Sequence, residues 1–213
     1  MTGLVIFDND GVLVDSERLA NSILAELLTE AGLPYTFDEA VRDFMGGSMA
    51  SMRQKAEAQL GRPLPADLEN RYHERLFAGF ERLQAIAGVE AVLDHLDACG
   101  VTYCLASSGT HRRIRTALTA VGFLSRFEGR IFSAEDVAHG KPAPDLFLHA
   151  AAALDVKPVD CLVIEDSPLG VAAAVAAGMK VFGYAGMTDP AKLSDANTVF
   201  HDMTALADLI DGA

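Results

Sequence analysis

The chain opens on an apolar run, Leu4-Val5-Ile6-Phe7, that breaks abruptly into Asp8-Asn9-Asp10-Gly11. Runs of the same kind recur in its second part. Their length and the turn residues bounding them predict strands over Tyr103–Ser107, Arg130–Ser133, Cys161–Glu165 and Lys180–Tyr184, with Thr198–Phe200 a further candidate. Between them, helical patterns run over Val89–Ala98, Thr110–Val121, Pro144–Leu154 and Pro168–Ala177. Gly100, Gly122 and Gly178 follow three of these, as glycine does just past a helix C-terminus. Strands this apolar, alternating with helices, predict an α/β domain with a parallel sheet covered on both faces. Ligands of such sheets sit outside the carboxyl ends of the strands.

Residues 17–82 read differently. Helical periods cover Leu19–Ala31, Asp38–Phe44, Met49–Leu60 and Leu68–Leu83, with breaks at Gly32-Leu33-Pro34, Gly46-Gly47 and Gly61-Arg62-Pro63-Leu64-Pro65. The pattern predicts a small helical domain over 17–82, inserted after the first strand. Residues 1–16 and 83–213 then form one α/β domain split in sequence.

Composition narrows the partners. The 213 residues are 50% hydrophobic and 22% charged, as in a soluble globular protein. A net charge of −13 argues against nucleic acid or an anionic membrane as partner. It leaves an anionic substrate open, because one Mg²⁺ and a few donors reverse the field inside a pocket. Cys99, Cys104 and Cys161 are odd in number and lack CxxC spacing, which predicts reduced thiols and a cytoplasmic protein. No apolar run approaches the roughly 20 residues of a membrane span.

Four polar clusters accompany the predicted strand ends. Asp8 and Asp10 follow the first strand, where desolvation disfavours charge unless a metal or a reaction uses it. Ser107-Ser108-Gly109-Thr110 runs into a helix start, an arrangement of hydroxyls and N–H groups suited to an anion; plain N-capping needs only one of those hydroxyls. Lys141 lies between Gly140 and Pro142-Ala143-Pro144, a stiff mount for a charge that must meet a phosphate. Glu165-Asp166-Ser167 repeats the strand-into-acids pattern. Two acid clusters on one sheet repel unless a cation lies between them, and an all-oxygen donor set favours Mg²⁺ over zinc. The six histidines show no ligand spacing, His139 being the one nearest to Lys141 in sequence.

The order Asp8-x-Asp10-Gly11-x-x-x-Asp15-Ser16, then Ser107, then Lys141-Pro142, then Glu165-Asp166-Ser167 resembles the haloacid dehalogenase superfamily along the whole chain. The resemblance implies a Rossmann-like core with a helical cap. It makes Asp8 the nucleophile and Asp10 the general acid/base. Ser107, Ser108 and Lys141 would hold the phosphoryl group. Asp8, the Asp10 backbone carbonyl, Glu165 and Asp166 would hold Mg²⁺. Asp10 favours phosphoryl transfer, since the family's dehalogenases lack this second aspartate. Asn9 departs from the apolar or small residue usual between the two acids.

Within the superfamily the chain is most similar to the β-phosphoglucomutase-like and sugar-phosphate phosphatase branch. Its mutases carry a histidine just after the first motif, where this chain has Ala20. Asp15-Ser16-Glu17 and Phe147-Leu148-His149-Ala150-Ala151 resemble phosphatases of 6-phosphogluconate and related compounds. The expectation is therefore a Mg²⁺-dependent phosphatase of a small sugar or sugar acid phosphate, working through an aspartyl-phosphate. The alternatives are a phosphosugar mutase and a non-catalytic binding protein on this fold. Glu17, Gly47 and Arg53 are the cap candidates for touching substrate, and a monomer is expected by family likeness.

Overall fold

The computed structural model describes residues 2–45 and 49–212. Gly47 therefore lies outside the described residues. The chain divides into two compact units, Met1–Asp15 with Gln84–Ala213, and Ser16–Leu83.

The first unit is built on six strands: β1 (Leu4–Phe7), β2 (Thr102–Ser107), β3 (Ile131–Ser133), β4 (Cys161–Glu165), β5 (Lys180–Tyr184) and β6 (Thr198–Phe200). They form one sheet in the order β3-β2-β1-β4-β5-β6, every pair parallel. Ten helices complete the described chain. Four belong to the second unit: α1 (Ser16–Glu30), α2 (Phe37–Phe44), α3 (Met49–Leu60) and α4 (Leu68–Gly79). The rest are α5 (Val89–Cys99), α6 (His111–Ala120), α7 (Leu124–Phe127), α8 (Asp145–Ala153), α9 (Pro168–Ala176) and α10 (Leu206–Asp211).

Alternation along β1 assigns the two faces of the sheet. Leu4 and Ile6 join Cys104, Ala106, Cys161 and Val163 in a core closed by Leu146, Phe147 and Ala150 of α8 and by Val171 and Ala174 of α9. Phe7 meets the Tyr103 ring edge-on at 6.3 Å between centroids, and Tyr103 meets Phe127 at 5.3 Å. Both faces are dry, so all four β1 residues are fully buried. Burying each such side chain stabilises the fold by about 1.5–3 kcal/mol.

Register decides where function can sit. Phe7 is level with both Leu105 and Ile164. The next residue along each strand, Asp8, Ala106 and Glu165, therefore emerges at one edge. The connections diverge there too, β1 lying between β2 and β4, which is the switch point at which open α/β sheets bind ligands.

After β1 the chain makes a closed turn. Leu13 and Val14 N–H groups donate to the Asn9 carbonyl, and Gly11 N–H donates to Val14. The chain passes out of this unit at Asp15 and returns at Gln84, where Asp15 N–H donates to the Gln84 carbonyl at 2.9 Å.

The second unit packs Leu24, Leu28, Ala40, Phe44, Met52, Ala56 and Leu68 into its own core. Thr36 and Glu39 form a reciprocal cap at the start of α2. The period predicts one helix over Leu68–Leu83, but α4 ends at Gly79 and a 3₁₀ turn, Phe80–Arg82, follows. A Cβ at Gly79 would lie 2.9 Å from Leu19 Cδ1, so the glycine serves close helix packing there. The short α7 and α10 carry too few residues for a period to reveal them.

Candidate active site

Asp8 follows β1 directly, and its backbone N–H donates to the Ile164 carbonyl at 3.0 Å. Its side chain therefore starts from a fixed point. Lys141, only 4% exposed, reaches over the same edge ahead of α8. Its ammonium donates to Asp8 Oδ1 at 2.6 Å, Glu165 Oε1 at 2.6 Å and the Ala106 carbonyl at 3.0 Å. All three of its protons are thereby used, one on each of three adjacent strands or strand ends. The Phe147 ring centroid lies 4.8 Å away and adds a cation–π contact.

Glu165 ends β4 fully buried. Its second oxygen accepts from the Ser167 backbone N–H and hydroxyl, both at 2.9 Å, as α9 begins. The Ser167 hydroxyl in turn accepts from Gly170 N–H at 3.0 Å. Gly170 is a residue that sequence reasoning missed. A Cβ there would lie 1.7 Å from Glu165 Oε1, so the carboxylate occupies the space a side chain would take. The signal was a glycine inside the alanine-rich run Pro168–Ala177, where glycine costs about 1 kcal/mol against alanine without a packing reason. Gly11 serves the site similarly. Its φ is +81°, and a Cβ would lie 2.0 Å from Asp166 Oδ2.

Asp8, Glu165 and Asp166 each offer an oxygen within 4.8 Å of the others, a grouping suited to a metal ion. Lys141 bonds two of them, Asp8 and Glu165. Burial pushes the Asp8 carboxyl up to about 7, opposed by Lys141 and reinforced by Glu165 and Asp10. Burial alone would lower Lys141, but the two carboxylates outweigh it and hold the ammonium charged above its usual range.

Asp10 is oriented differently. Its Oδ1 accepts from Arg113 Nη2 at 3.0 Å, and the carboxylate stands outside the three-acid cluster. Arg113, in the first turn of α6, is a second residue missed by sequence reasoning. His111-Arg112-Arg113 reads there as an ordinary basic helix surface.

Ser107 is buried at the end of β2, its hydroxyl accepting from Gly109 N–H at 3.1 Å. Ser133, buried at the end of neighbouring β3, donates its hydroxyl to the Gly109 carbonyl at 2.7 Å and ties down the same turn. Ser108 is exposed on that turn.

Other residues singled out in the sequence fall elsewhere. His139 pairs with Asp145 at 3.1 Å with its side chain 74% exposed. Cys104 and Cys161 are free thiols in the core, and burial pushes both above the ordinary range, so they are unreactive. Glu17 lies in the first turn of α1 and accepts from the Asn21 amide at 3.3 Å. Arg53, the other cap candidate, is placed on α3. Its guanidinium is committed to Glu57 and to the Leu64 and Pro65 carbonyls, because the loop after α3 turns those oxygens toward it.

Known proteins resemble this chain. The family model described as "Haloacid dehalogenase-like hydrolase" matches residues 5–184. A protein of Drosophila melanogaster named "Probable pseudouridine-5'-phosphatase" is 38% identical over 97% of this chain and 89% of its own. The 6-phosphogluconate phosphatase of Escherichia coli is 29% identical over 84% of this chain and 80% of its own. A crystal structure of a haloacid dehalogenase-like protein of unknown function from Agrobacterium tumefaciens superposes with a TM-score of 0.91 at 37% identity, covering 100% of this chain and 99% of that one. A core with four polar strand ends in the family's order, matched across 5–184, means that this chain belongs to the haloacid dehalogenase-like hydrolases and is an enzyme of their phosphatase kind.

Proposed function

We propose that this protein is a Mg²⁺-dependent phosphatase that releases phosphate from a small polyhydroxylated metabolite, with Asp8 carrying the phosphoryl group between two half-reactions. One observation carries the reading: the buried Asp8 carboxylate lies 2.6 Å from the buried Lys141 ammonium, with Glu165 and Asp166 beside it. A single salt bridge needs one acid. The surplus acids at a strand end call for a cation and a reaction.

The donors fit a hard cation. Asp8, Glu165 and Asp166, with the Asp10 backbone carbonyl as a further ligand, supply only oxygen. Bound Mg²⁺ would neutralise the acids and the substrate phosphate, lowering the repulsion that an anionic nucleophile meets.

The protein groups divide the remaining work. Asp8 attacks phosphorus in line as the ester oxygen leaves, giving an aspartyl-phosphate. Lys141 and the Ser107 turn hold the phosphoryl oxygens, Lys141 also keeping Asp8 aimed. Asp10 gives its proton to the departing alcohol oxygen. It then takes one from the water that attacks the aspartyl-phosphate, which returns Asp8 and releases phosphate. The helical unit Ser16–Leu83 is assigned the role of a cap that selects substrate, with Glu17 and Gly47 as candidate contacts.

The similar proteins support the substrate class. Their names describe phosphatases of 6-phosphogluconate and of pseudouridine 5′-phosphate, both monoesters on a sugar-derived skeleton. We assign this chain to the same class, with 6-phosphogluconate as the leading candidate.

Phosphate release is to be measured on 6-phosphogluconate, pseudouridine 5′-phosphate, hexose 6-phosphates and β-glucose 1-phosphate, with Mg²⁺ or with EDTA. The expected result is metal-dependent release from a subset, abolished in Asp8→Asn. Full activity in EDTA refutes the metal requirement, and activity surviving in Asp8→Asn refutes the nucleophile. Conversion of β-glucose 1-phosphate to glucose 6-phosphate without release would make the protein a mutase.

A further inference from the structure

We propose that Arg113 is a positioning residue for Asp10, holding its carboxylate in the orientation used for proton transfer; the proposal rests on the acid/base reading of Asp10 given above. The two residues are 103 positions apart and meet at 3.0 Å, with side chains 29% and 18% exposed. A charge-assisted bond between partly desolvated groups holds orientation far better than a fully exposed pair.

Arg113 has no helical reason to be where it is. It lies in the first turn of α6, which contains no acidic residue and begins His111-Arg112-Arg113. Cations there oppose the helix dipole at a cost of a few tenths of a kcal/mol or more each. A partner outside the helix offsets that cost for Arg113, and the partner is Asp10.

The mount on each side is rigid. Arg113 N–H donates to the Thr110 hydroxyl at 3.2 Å, and the preceding turn is held by Ser107 and Ser133. The arginine stem passes Gly109, where a Cβ would stand at ordinary contact distance, 3.5 Å from Cδ. On the other side, Asp10 is bridged to Val14 and followed by the hydrogen-bonded Gly11 turn. With both backbones fixed, the Asp10 side-chain torsions are the remaining freedom, and the guanidinium limits them. The Arg113 contact on Oδ1 thereby holds the carboxylate in a set orientation for its proton transfers. The end of β2 and the start of α6 thus carry Ser107, for the phosphoryl group, and Arg113, for the acid, on either side of one held turn.

The leaving-group dependence of kcat/KM tests this, because kcat/KM reports the step in which the ester bond breaks. Phenyl phosphate, whose leaving oxygen needs a proton, is compared with p-nitrophenyl phosphate, whose leaving group departs well without one. The enzymes are wild type, Arg113→Ala, Arg113→Lys and Asp10→Asn, each with Mg²⁺. Arg113→Ala is expected to lose about 10- to 100-fold on phenyl phosphate and less than about threefold on p-nitrophenyl phosphate. Arg113→Lys should recover part of the loss, and Arg113→Ala should cost little more in an Asp10→Asn background.

Equal losses on both esters in Arg113→Ala, or a raised KM with unchanged selectivity between them, would overturn the proposal and make Arg113 a structural or substrate-binding group. The acid/base reading fails separately. In that case Asp10→Asn itself would lose activity evenly on both esters.

Discussion

Asp8→Asn tests the electrostatics of the site while keeping its shape, since the amide is isosteric with the carboxyl and still offers Lys141 an oxygen. Burial, opposed by Lys141 and reinforced by Glu165 and Asp10, pushes the Asp8 carboxyl from 3.8 to about 7 in the metal-free protein. The folded chain therefore binds this proton more tightly than the unfolded chain does. The contribution to stability is full below about pH 4, declines as pH rises to about 7, and is flat beyond. At 1.36 kcal/mol per pH unit, the ionised carboxylate costs the fold about 4 kcal/mol at pH 8.

Asparagine has nothing to titrate, so the variant escapes that decline. Its advantage over wild type should widen by about 3 kcal/mol between pH 5 and pH 8, or roughly 6–12 °C in Tm for a chain of this length. Urea and thermal unfolding in EDTA across this range measure the gap. Adding Mg²⁺ should close it, because the ion binds the ionised folded site and not the unfolded chain. Wild type and variant losing stability in parallel, or a variant less stable than wild type at pH 8, would refute the reasoning.

Three other substitutions have defined outcomes. Lys141→Met leaves Asp8 and Glu165 buried without their shared ammonium and should cost about 3–5 kcal/mol at pH 8. Adding Asp8→Asn in the same chain should recover part of that loss, and further destabilisation in the double variant by urea unfolding would contradict this. Gly170→Ala, a change worth about 1 kcal/mol of stability in an ordinary helix, should instead lower Tm and phosphate release, because the new Cβ displaces the Glu165 carboxylate; a higher Tm would show that the helix yields without disturbing Glu165. Asn9→Leu should stabilise by about 1–3 kcal/mol with kcat/KM kept, since the fully buried Asn9 amide finds no hydrogen-bond partner for either polar atom among the described residues; a loss of stability would mean that the amide is satisfied internally.

The sheet was legible because parallel strands buried on both faces read as unbroken apolar runs. Cys161–Glu165 and Lys180–Tyr184 are found at the predicted bounds. Arg130–Ser133 loses its first residue to the preceding turn, where Arg130 N–H bonds the Phe127 carbonyl instead of joining the sheet. The acids were legible because charge at a strand end conflicts with burial, a conflict visible in one dimension, and Lys141 because Gly140 and two prolines bracket it. Arg113 and Gly170 were not. A basic residue on a helix surface and a small residue in a helix are each unremarkable locally. Gly170 takes its meaning from Glu165, folded back over it by the local Ser167 turn, and Arg113 from Asp10, which the pairing of β1 with β2 brings near it. The contacts of Arg53 were not legible either: a loop eleven residues on bonds its guanidinium, and a helical pattern contains no information about that loop.

The topology that makes this site costly for stability also supplies the means to use it. With Phe7 level with Leu105 and Ile164, the row beyond them must contain Asp8, Ala106 and Glu165 whatever those residues are. Three acids within 4.8 Å at one edge are an electrostatic liability that apolar residues there would avoid. Yet β2 and β4 are each followed closely by a helix, and α6 and α9 both begin at that edge. The turn into α9 already stabilises an anion: the N–H and hydroxyl of its N-cap Ser167 donate to Glu165. On the reading proposed above, the Ser107–Thr110 turn leading into α6 would offer a similar field to a phosphate. Acids for a cation on one side and helix N-termini for an anion on the other are thus consequences of a single strand order. A cation and a phosphate bound together would offset that liability. Phosphate together with Mg²⁺ should therefore raise Tm by more than the sum of the two shifts measured separately, and simple additivity would separate the acid cluster from the phosphate site.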